Sequence, residues 1–258
     1  LFQKIFGGTE EQVTEPNIRF GRYSDSYKEE EHYESWNQSL EAFEAASYLE
    51  AYEAFFKYLK DGEEENVRYE IKERKLYFEF FQGSKRIYGT ADRKKLTATA
   101  KIAQTAQLNV AFLRRLLEQN FNLKYSRFAL DEEKNICITF DTYTLDGSPY
   151  KLYYALKELA TNADKQDDLL VEEFRNVLKE VENKHLIAIP EQEKLIKYTF
   201  IKEKIQRTLT IIEQGKLDAK QYPGAIAYLL LDLTYRLDYL IQPQGYMMET
   251  LERIQIGR

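Results

Sequence analysis

The fold is decided by residues 67–102, which read VRYEIKERKLYFEFFQGSKRIYGTADRKKLTATAKI. Apolar and polar side chains alternate along this stretch, as at Val67, Tyr69 and Ile71, and the alternation resumes after each short polar interruption. A period of two residues is typical of a strand with one face buried. Turn residues at 83–84 and 91–93 separate the later runs. The stretch therefore predicts an antiparallel meander of four strands.

The residues before the meander predict an arm and a helix. Residues 1–36 mix Gly, Glu, Tyr and Ser without a stable period, which indicates an irregular N-terminal arm. From Asn37 onward apolar residues recur at helical spacing, and Asp61-Gly62 is a signal for the end of a helix. We expect one amphipathic helix between these points.

The residues after the meander predict a helix, a hairpin and a long helix. The first helix has an apolar face made by Val110, Leu113, Leu117 and Phe121. Residues 123–130 and 135–143 then alternate as a hairpin does. Ser148 is a suitable N-cap, and Pro149 suits the first turn of a helix whose period continues to about Glu182.

The order of these elements predicts an α+β protein. We expect an antiparallel sheet flanked by helices, in the order α-βββ(β)-α-ββ-α, over residues 37–184. Residues 190–258 carry only helical patterns and predict an all-α C-terminal extension. Such helices cannot bury their apolar faces alone, so they must pack on the main domain, on themselves or on another subunit.

Composition narrows the classes of partner. The net charge of −6 and the sequence pI near 5.3 argue against a nucleic-acid partner, which needs clustered Lys and Arg. The most apolar stretch, residues 225–241, contains three charged residues and is too short to span a bilayer. Residues 1–8 show no secretory signal, and the single cysteine, Cys137, reads as a small buried hydrophobe. We therefore expect a cytoplasmic protein.

Residues 108–170 resemble the YbjN family and the wider fold of type III secretion chaperones of bacteria. They read LNVAFLRRLLEQNFNLKYSRFALDEEKNICITFDTYTLDGSPYKLYYALKELATNADKQDDLL. The similar parts are a helix that ends in the turn Asn120–Asn122, a strand that ends at Phe128–Asp131, and a long helix that carries Ala155–Leu170. The extra strand at 96–102 and the C-terminal helices depart from the simple chaperones. The resemblance implies a non-enzymatic, often dimeric protein that binds extended or partly unfolded polypeptide along apolar surface.

The chemical motifs of enzymes are missing from the sequence. His32 and His185 lack the spacing of a zinc site, and no glycine-rich phosphate loop or nucleophile elbow is present. We expect no catalytic residue, cofactor or metal. The one acidic cluster is Asp164, Asp167 and Asp168, whose spacing brings carboxylates together on a helix. It fits a solvated face, a partner-binding charge patch or, least well, a metal site.

These observations favour a protein-binding, chaperone-like module. The side chains of Tyr77, Phe81 and Tyr88 alternate with the buried positions of the meander, so they are candidate partner contacts. The partner is another protein or a second copy of this chain. Two alternatives stay open: an assembly protein whose C-terminal helices mediate oligomerisation, and a small-ligand sensor with a cleft that sequence does not reveal.

Overall fold

The computed structural model describes residues 28–61, 65–83, 85–105, 110–181, 189–214, 218, 220–241, 243 and 245–256. Its helices are α1 (Glu30–Glu44), α2 (Tyr48–Leu59), α3 (Val110–Asn122), α4 (Pro149–Glu173), α5 (Glu191–Glu213), α6 (Pro223–Ile241) and α7 (Gly245–Ile256). Its strands are β1 (Val67–Lys72), β2 (Lys75–Gln82), β3 (Lys85–Ala91), β4 (Lys95–Thr105), β5 (Arg127–Leu130), β6 (Asn135–Tyr143) and β7 (Leu178–Glu180). The described residues form two compact units: a main unit over α1 to β7, and a helical unit with α5, α6 and the second half of α7.

The strands of the main unit form one open antiparallel sheet in the order β1-β2-β3-β4-β6-β5, and β7 pairs with the end of β4. One face of this sheet is covered by α2, α3 and α4. The buried residues of that face include Leu76, Phe78, Ile87, Leu96 and Ile138, and they join one core with the apolar residues of the three helices. The predicted α+β class with an antiparallel sheet flanked by helices is confirmed.

A glycine in the middle of β3 shows how tightly this core is packed. A Cβ atom at Gly89 would lie 2.0 Å from the carbonyl oxygen of Thr97 and 2.5 Å from the ring of Phe78. That ring stacks on Phe56 of α2 at 4.3 Å between centroids. Glycine is therefore required there because the Phe78 ring lies across β3 and connects the sheet to α2.

The segment predicted as one helix from Asn37 to Asp61 is two helices, α1 and α2. The chain turns at Ala46, whose φ of 59° is left-handed, and α1 packs back on α2. The Ser39 hydroxyl donates to the carbonyl of Ala51 at 2.7 Å, and the Trp36 ring lies 4.9 Å from that of Tyr58. These contacts stabilise a helical hairpin in which the predicted single helix is folded in half.

The irregular arm predicted for residues 1–36 is wrong for residues 30–36, which are the first two turns of α1. The imidazole of His32 explains this early start, because its Nδ1 accepts the backbone N–H of Glu29 at 3.2 Å. Its Nε2 is 2.8 Å from the carbonyl oxygen of Lys60, at the end of α2. His32 thus connects the two outer ends of the hairpin. Residues 1–27 lie outside the described residues.

The long helix α4 begins where its N-cap predicts but ends early. The Ser148 hydroxyl accepts the backbone N–H of Lys151, and Pro149 occupies the first turn. The predicted continuation to Glu182 is wrong, since the helix ends at Glu173. The chain then forms β7, which pairs with β4 beyond an irregularity between Lys101 and Ala103.

The helical unit has a small core of its own. Leu237, Ile241 and Leu251 are buried together, and Phe200, Ile201 and Leu233 pack against them. This matches the helical patterns predicted for the residues beyond 190. Among the described residues, none of the helices combines the length and the apolar character that a bilayer crossing requires.

Candidate partner-binding surfaces

The face of the sheet that α2, α3 and α4 leave uncovered is termed here the outer sheet face. It consists of the outward residues of β1 to β6, which alternate with the core residues. Tyr77, Phe81 and Tyr88 all belong to it, because the strand register pairs each of them with other outward residues. The Tyr77 side chain is 41% exposed, whereas Phe81 and Tyr88 are half-buried. The candidate contact residues of the meander therefore share one surface.

A shallow hollow of about 580 Å³ lies over the first four strands of the outer sheet face. Tyr77 and Tyr88 line it together with Arg68, Glu79 and Arg86. The Glu79 carboxylate binds both guanidinium groups, at 3.4 Å from Arg68 Nη1 and 2.7 Å from Arg86 Nε. The Arg86 guanidinium also lies 5.5 Å from the centre of the Tyr88 ring. The hollow therefore combines aromatic rings with an ion network.

A second carboxylate on this face is likewise shared between two cations. Asp141 of β6 binds Lys95 Nζ at 2.8 Å and the guanidinium of Arg127. Hydrogen bonds from Lys95 and Arg127 hold the pKa of Asp141 below its ordinary value. Charged side chains on the outer sheet face are thus paired with one another, and they surround half-buried aromatic rings.

Cys137 lies on the same face but is only 2% exposed, which confirms the predicted buried position. Burial, and then the nearby Asp131 carboxylate, raise the pKa of its thiol to about 11. Lys101 lowers the pKa of this thiol only in part, and Lys101 Nζ is itself neutralised by Asp131 at 3.3 Å and Glu133 at 3.1 Å. The thiol therefore stays protonated at neutral pH and is a poor nucleophile.

The acidic residues predicted as a cluster on α4 have different outcomes. Asp164 is half-buried and lies against the turn between β2 and β3, where a Cβ on Gly83 would meet its carboxylate oxygen at 2.1 Å. Gly83 has a φ of 54°. Asp164 therefore packs on a turn rather than lying on a solvated face. The side chains of Asp167 and Asp168 lie outside the described part of the chain.

A surface of different character lies on α3. The side chains of Val110, Leu113, Leu117 and Phe121 are 82, 36, 69 and 92% exposed. Their spacing of three, four and four residues places them along one side of the helix, and they are termed here the α3 stripe. The sequence predicted this apolar face, but its exposure to solvent was not predicted.

The opposite side of α3 explains why the stripe faces outward. Phe112 is fully buried, and its ring lies 5.2 Å from that of Phe174. Leu116, one turn later, is also buried. One further turn along, the Asn120 side chain accepts the backbone N–H of Phe128 at 2.6 Å. These three residues fix the rotation of α3 about its axis, and the stripe is left on a neighbouring side that faces solvent.

The loop between α3 and β5 is held by α4. The Glu158 carboxylate accepts the backbone N–H groups of Lys124, Tyr125 and Ser126, each at 2.9 Å, and the Ser126 hydroxyl at 2.8 Å. Partial burial raises the pKa of this carboxyl, but the hydrogen bonds outweigh it and leave the pKa below its ordinary value. Glu158 therefore anchors the chain that sets the position of α3 and β5.

Within the described residues, no group of three or more His, Cys, Asp or Glu side chains is arranged to hold a metal ion. Comparison with known proteins finds no family model that matches this chain and no curated protein that is significantly similar. Function must therefore be inferred from the surfaces themselves.

Proposed function

We propose that the protein is a non-enzymatic, chaperone-like binding module that captures an apolar segment of another polypeptide on the α3 stripe. The observation that carries the proposal is the exposure of four aligned apolar side chains on a helix whose other side is firmly packed. Contiguous apolar patches of this kind mark interaction sites on soluble proteins.

The energetics favour a partner with apolar residues of its own. Burying a Leu, Val or Phe side chain fully contributes about 1.5–3 kcal/mol each, against which stands the entropy lost on association. A folded partner offers such residues only where it has an apolar groove or patch, whereas an extended or partly unfolded polypeptide has them available along its length. The half-exposed rings of the outer sheet face, Tyr77 among them, extend the surface that such a chain can contact.

Other observations agree with this proposal. The element order of the main unit is the one that the resemblance to YbjN and the type III secretion chaperones implies, with α1, a fourth strand in the meander and β7 as additions. A cytoplasmic location fits the buried Cys137, which needs no disulfide partner.

A titration with an unfolded protein tests the proposal. The probe is reduced, carboxymethylated and fluorescently labelled α-lactalbumin, which cannot refold, and fluorescence anisotropy reports its binding. We expect the double variant Leu117→Ser/Phe121→Ser to bind at least about tenfold more weakly than the unaltered protein. Both residues are exposed, so the substitutions leave the fold intact.

The matched control is Ala111→Ser/Asn122→Ser, which places two serines at exposed positions of the same helix on a different side from the stripe. It should bind as the unaltered protein does. Equal affinities for all three proteins, or no binding of the probe by any of them, would contradict the proposal.

An assembly role is the second candidate, and α5 favours it. This 23-residue helix contains no buried residue, while Leu195, Tyr198 and Leu209 are 63, 61 and 41% exposed. If these residues form a subunit interface, light scattering of the full chain gives the mass of a dimer, and Leu195→Ser/Leu209→Ser gives that of a monomer. A monomeric unaltered protein would rule this role out.

A further inference from the structure

The strand β1 forms one edge of the main sheet. It pairs with β2 along its whole length, and no described strand pairs with its other side, termed here the free side of β1. Prolines, bulges and inward-facing charges commonly protect an edge strand from pairing with another chain. The sequence VRYEIK of β1 contains no proline, and its register with β2 is unbroken. Its inward-facing residues are all apolar: Val67, Tyr69 and Ile71.

The hydrogen bonds between β1 and β2 show which backbone groups lie on the free side. The backbone N–H of Phe81 donates to the carbonyl of Asn66, one residue before β1, at 3.0 Å. In an antiparallel pair every second residue directs its N–H and C=O toward the neighbouring strand. Counted from Asn66, the even-numbered residues of β1 therefore point to β2. The backbone groups on the free side belong to the odd-numbered residues, which are Val67, Tyr69 and Ile71.

The side chains of the same odd-numbered residues lie on the inner face of the sheet, under α2. Val67 is buried, and the Tyr69 ring lies 6.4 Å from that of Phe56 in α2. Ile71, in contrast, is 44% exposed. The end of β1 therefore presents an apolar side chain to solvent next to backbone groups that no described strand binds.

We propose that the free side of β1 binds β1 of a second copy of this chain, antiparallel about a two-fold axis at Tyr69, so that one sheet continues through both subunits. In this register Tyr69 lies opposite Tyr69 of the second copy, and Val67 lies opposite Ile71 of the second copy. Each opposed pair exchanges two hydrogen bonds, because the N–H and C=O groups of these residues face each other. The exposed Ile71 then packs beside Val67 of the second copy.

The backbone selects this register over its neighbours. A two-fold axis at an even-numbered residue would bring together groups that already bind β2. An axis at Ile71 would place Glu73 in the ladder, but Glu73 has a left-handed φ of 50° and belongs to the turn. An axis at Val67 would place Ile71 beyond the start of the second β1. The axis at Tyr69 is therefore the one that pairs both ends of the strand.

The charges on the outer side of β1 agree with the same register. The two-fold axis places Arg68 directly opposite Glu70 of the second copy, in a non-hydrogen-bonded pair whose side chains lie close together. Opposite charges in such a pair stabilise a sheet. Both side chains also have partners within one chain, which are Glu65 and Glu79 for Arg68, and Lys72 for Glu70. The strand is therefore balanced in charge, and a second copy meets opposite charges rather than like ones.

Sedimentation equilibrium of the full chain at several concentrations tests this inference. We expect a monomer–dimer equilibrium, which Ile71→Pro weakens at least about tenfold. Proline removes an N–H that lies on the free side, so it leaves the hydrogen bonds between β1 and β2 in place. The matched control Ile71→Val keeps this N–H and a β-branched side chain, and it should dimerise as the unaltered protein does. A monomer at every concentration, or a dimer that Ile71→Pro leaves unchanged, would overturn the inference.

Disulfide cross-linking tests the register without a proline. A mixture of Arg68→Cys and Glu70→Cys should form a cross-linked dimer on mild oxidation, because the opposed Cα atoms are about 4.5 Å apart. Each variant alone should form little, because the same residue in the two copies is then diagonal, at about 7–8 Å. The native Cys137 is 2% exposed and does not interfere. Cross-linking of either variant alone as strongly as the mixture would contradict the register.

The other surfaces provide the remaining controls. The α3-stripe variant Leu117→Ser/Phe121→Ser should dimerise normally, so this inference and the capture of unfolded protein fail independently. Leu195→Ser/Leu209→Ser on α5 should dimerise normally as well. A dimer that is lost in the α5 variant and kept in Ile71→Pro would assign the interface to α5 and overturn the pairing of β1.

Discussion

The outer sheet face and the α3 stripe are both exposed surfaces of the main unit, yet they are built in opposite ways. On the sheet, each carboxylate binds one or two cations, and the rings of Phe81 and Tyr88 are half-buried among them. On α3, the side chain of Phe121 is 92% exposed and is flanked along the stripe by other apolar residues. The charged groups of the sheet face are paired with one another, whereas the stripe exposes apolar side chains to solvent. Binding to the first should depend on salt, and binding to the second on apolar area.

The largest effect is expected when phenylalanine is replaced by alanine on the packed side and on the exposed side of α3. Phe112→Ala removes a fully buried ring and should lower the free energy of unfolding by about 3–5 kcal/mol. Phe121→Ala should change it by less than about 0.5 kcal/mol. Urea denaturation measures both. Similar losses at the two positions would mean that the stripe is packed in solution.

An intermediate effect is expected where α4 anchors the loop before β5. Glu158→Ala leaves three backbone N–H groups without their carboxylate and should lower the free energy of unfolding by about 2 kcal/mol. Because the folded pKa of Glu158 is below its ordinary value, this contribution is present above about pH 4.3 and is lost as the pH falls through the folded pKa.

Denaturation of the unaltered protein and Glu158→Ala at several pH values checks both statements. Glu158→Gln serves as the control, since it keeps a neutral acceptor in place. A stability difference that stays constant from neutral to acidic pH would show that the charge of Glu158 does not matter to the loop.

The smallest effect concerns the β1–β2 turn of the outer sheet face. Glu73→Asn/Arg74→Gly should raise the free energy of unfolding by about 1 kcal/mol, because the new residues accept the left-handed conformation without strain. Glu73→Gln/Arg74→Ala removes the same two charges without that conformational freedom and separates the two causes. Thermal denaturation in which Glu73→Gln/Arg74→Ala stabilises as much as Glu73→Asn/Arg74→Gly would attribute the gain to charge alone.

The sheet could be predicted from the sequence because the alternation of apolar and polar residues within each strand of the meander shows which side chains are buried. In β2, Leu76, Phe78 and Phe80 are buried, and the residues between them face outward, as the period of two requires. Tyr77 was identified as outward-facing for the same reason.

The helices were less predictable, since a helical period does not say which side is packed. In α3 both Leu113 and Leu116 are apolar, and only the contact between Phe112 and Phe174, far apart in sequence, decides that Leu116 lies inside. The break between α1 and α2 contains neither Gly nor Pro. It depends on Ala46 being held in a left-handed conformation by the packing of the hairpin. The pairing of β7 with β4 is likewise a long-range contact.

Some features of the candidate site could also be predicted from the sequence, and others could not. The aromatic residues of the outer sheet face could be predicted from alternation, but the ion networks around Glu79 and Asp141 join residues of different strands. They become visible only once the strand register is known. For Asp164 the sequence was misleading. Its spacing from Asp167 and Asp168 predicted a surface cluster, but in the fold its carboxylate lies against Gly83.

Hydroxyl-radical footprinting with mass spectrometry tests the central claim most directly, since it reads the exposure of individual side chains with and without carboxymethylated α-lactalbumin. We predict that Leu117 and Phe121 are oxidised readily in the free protein and are protected in the complex, while Phe112 is unreactive in both. Unchanged oxidation of Leu117 and Phe121 under conditions where the unfolded protein is bound would contradict the assignment of the α3 stripe as its binding surface.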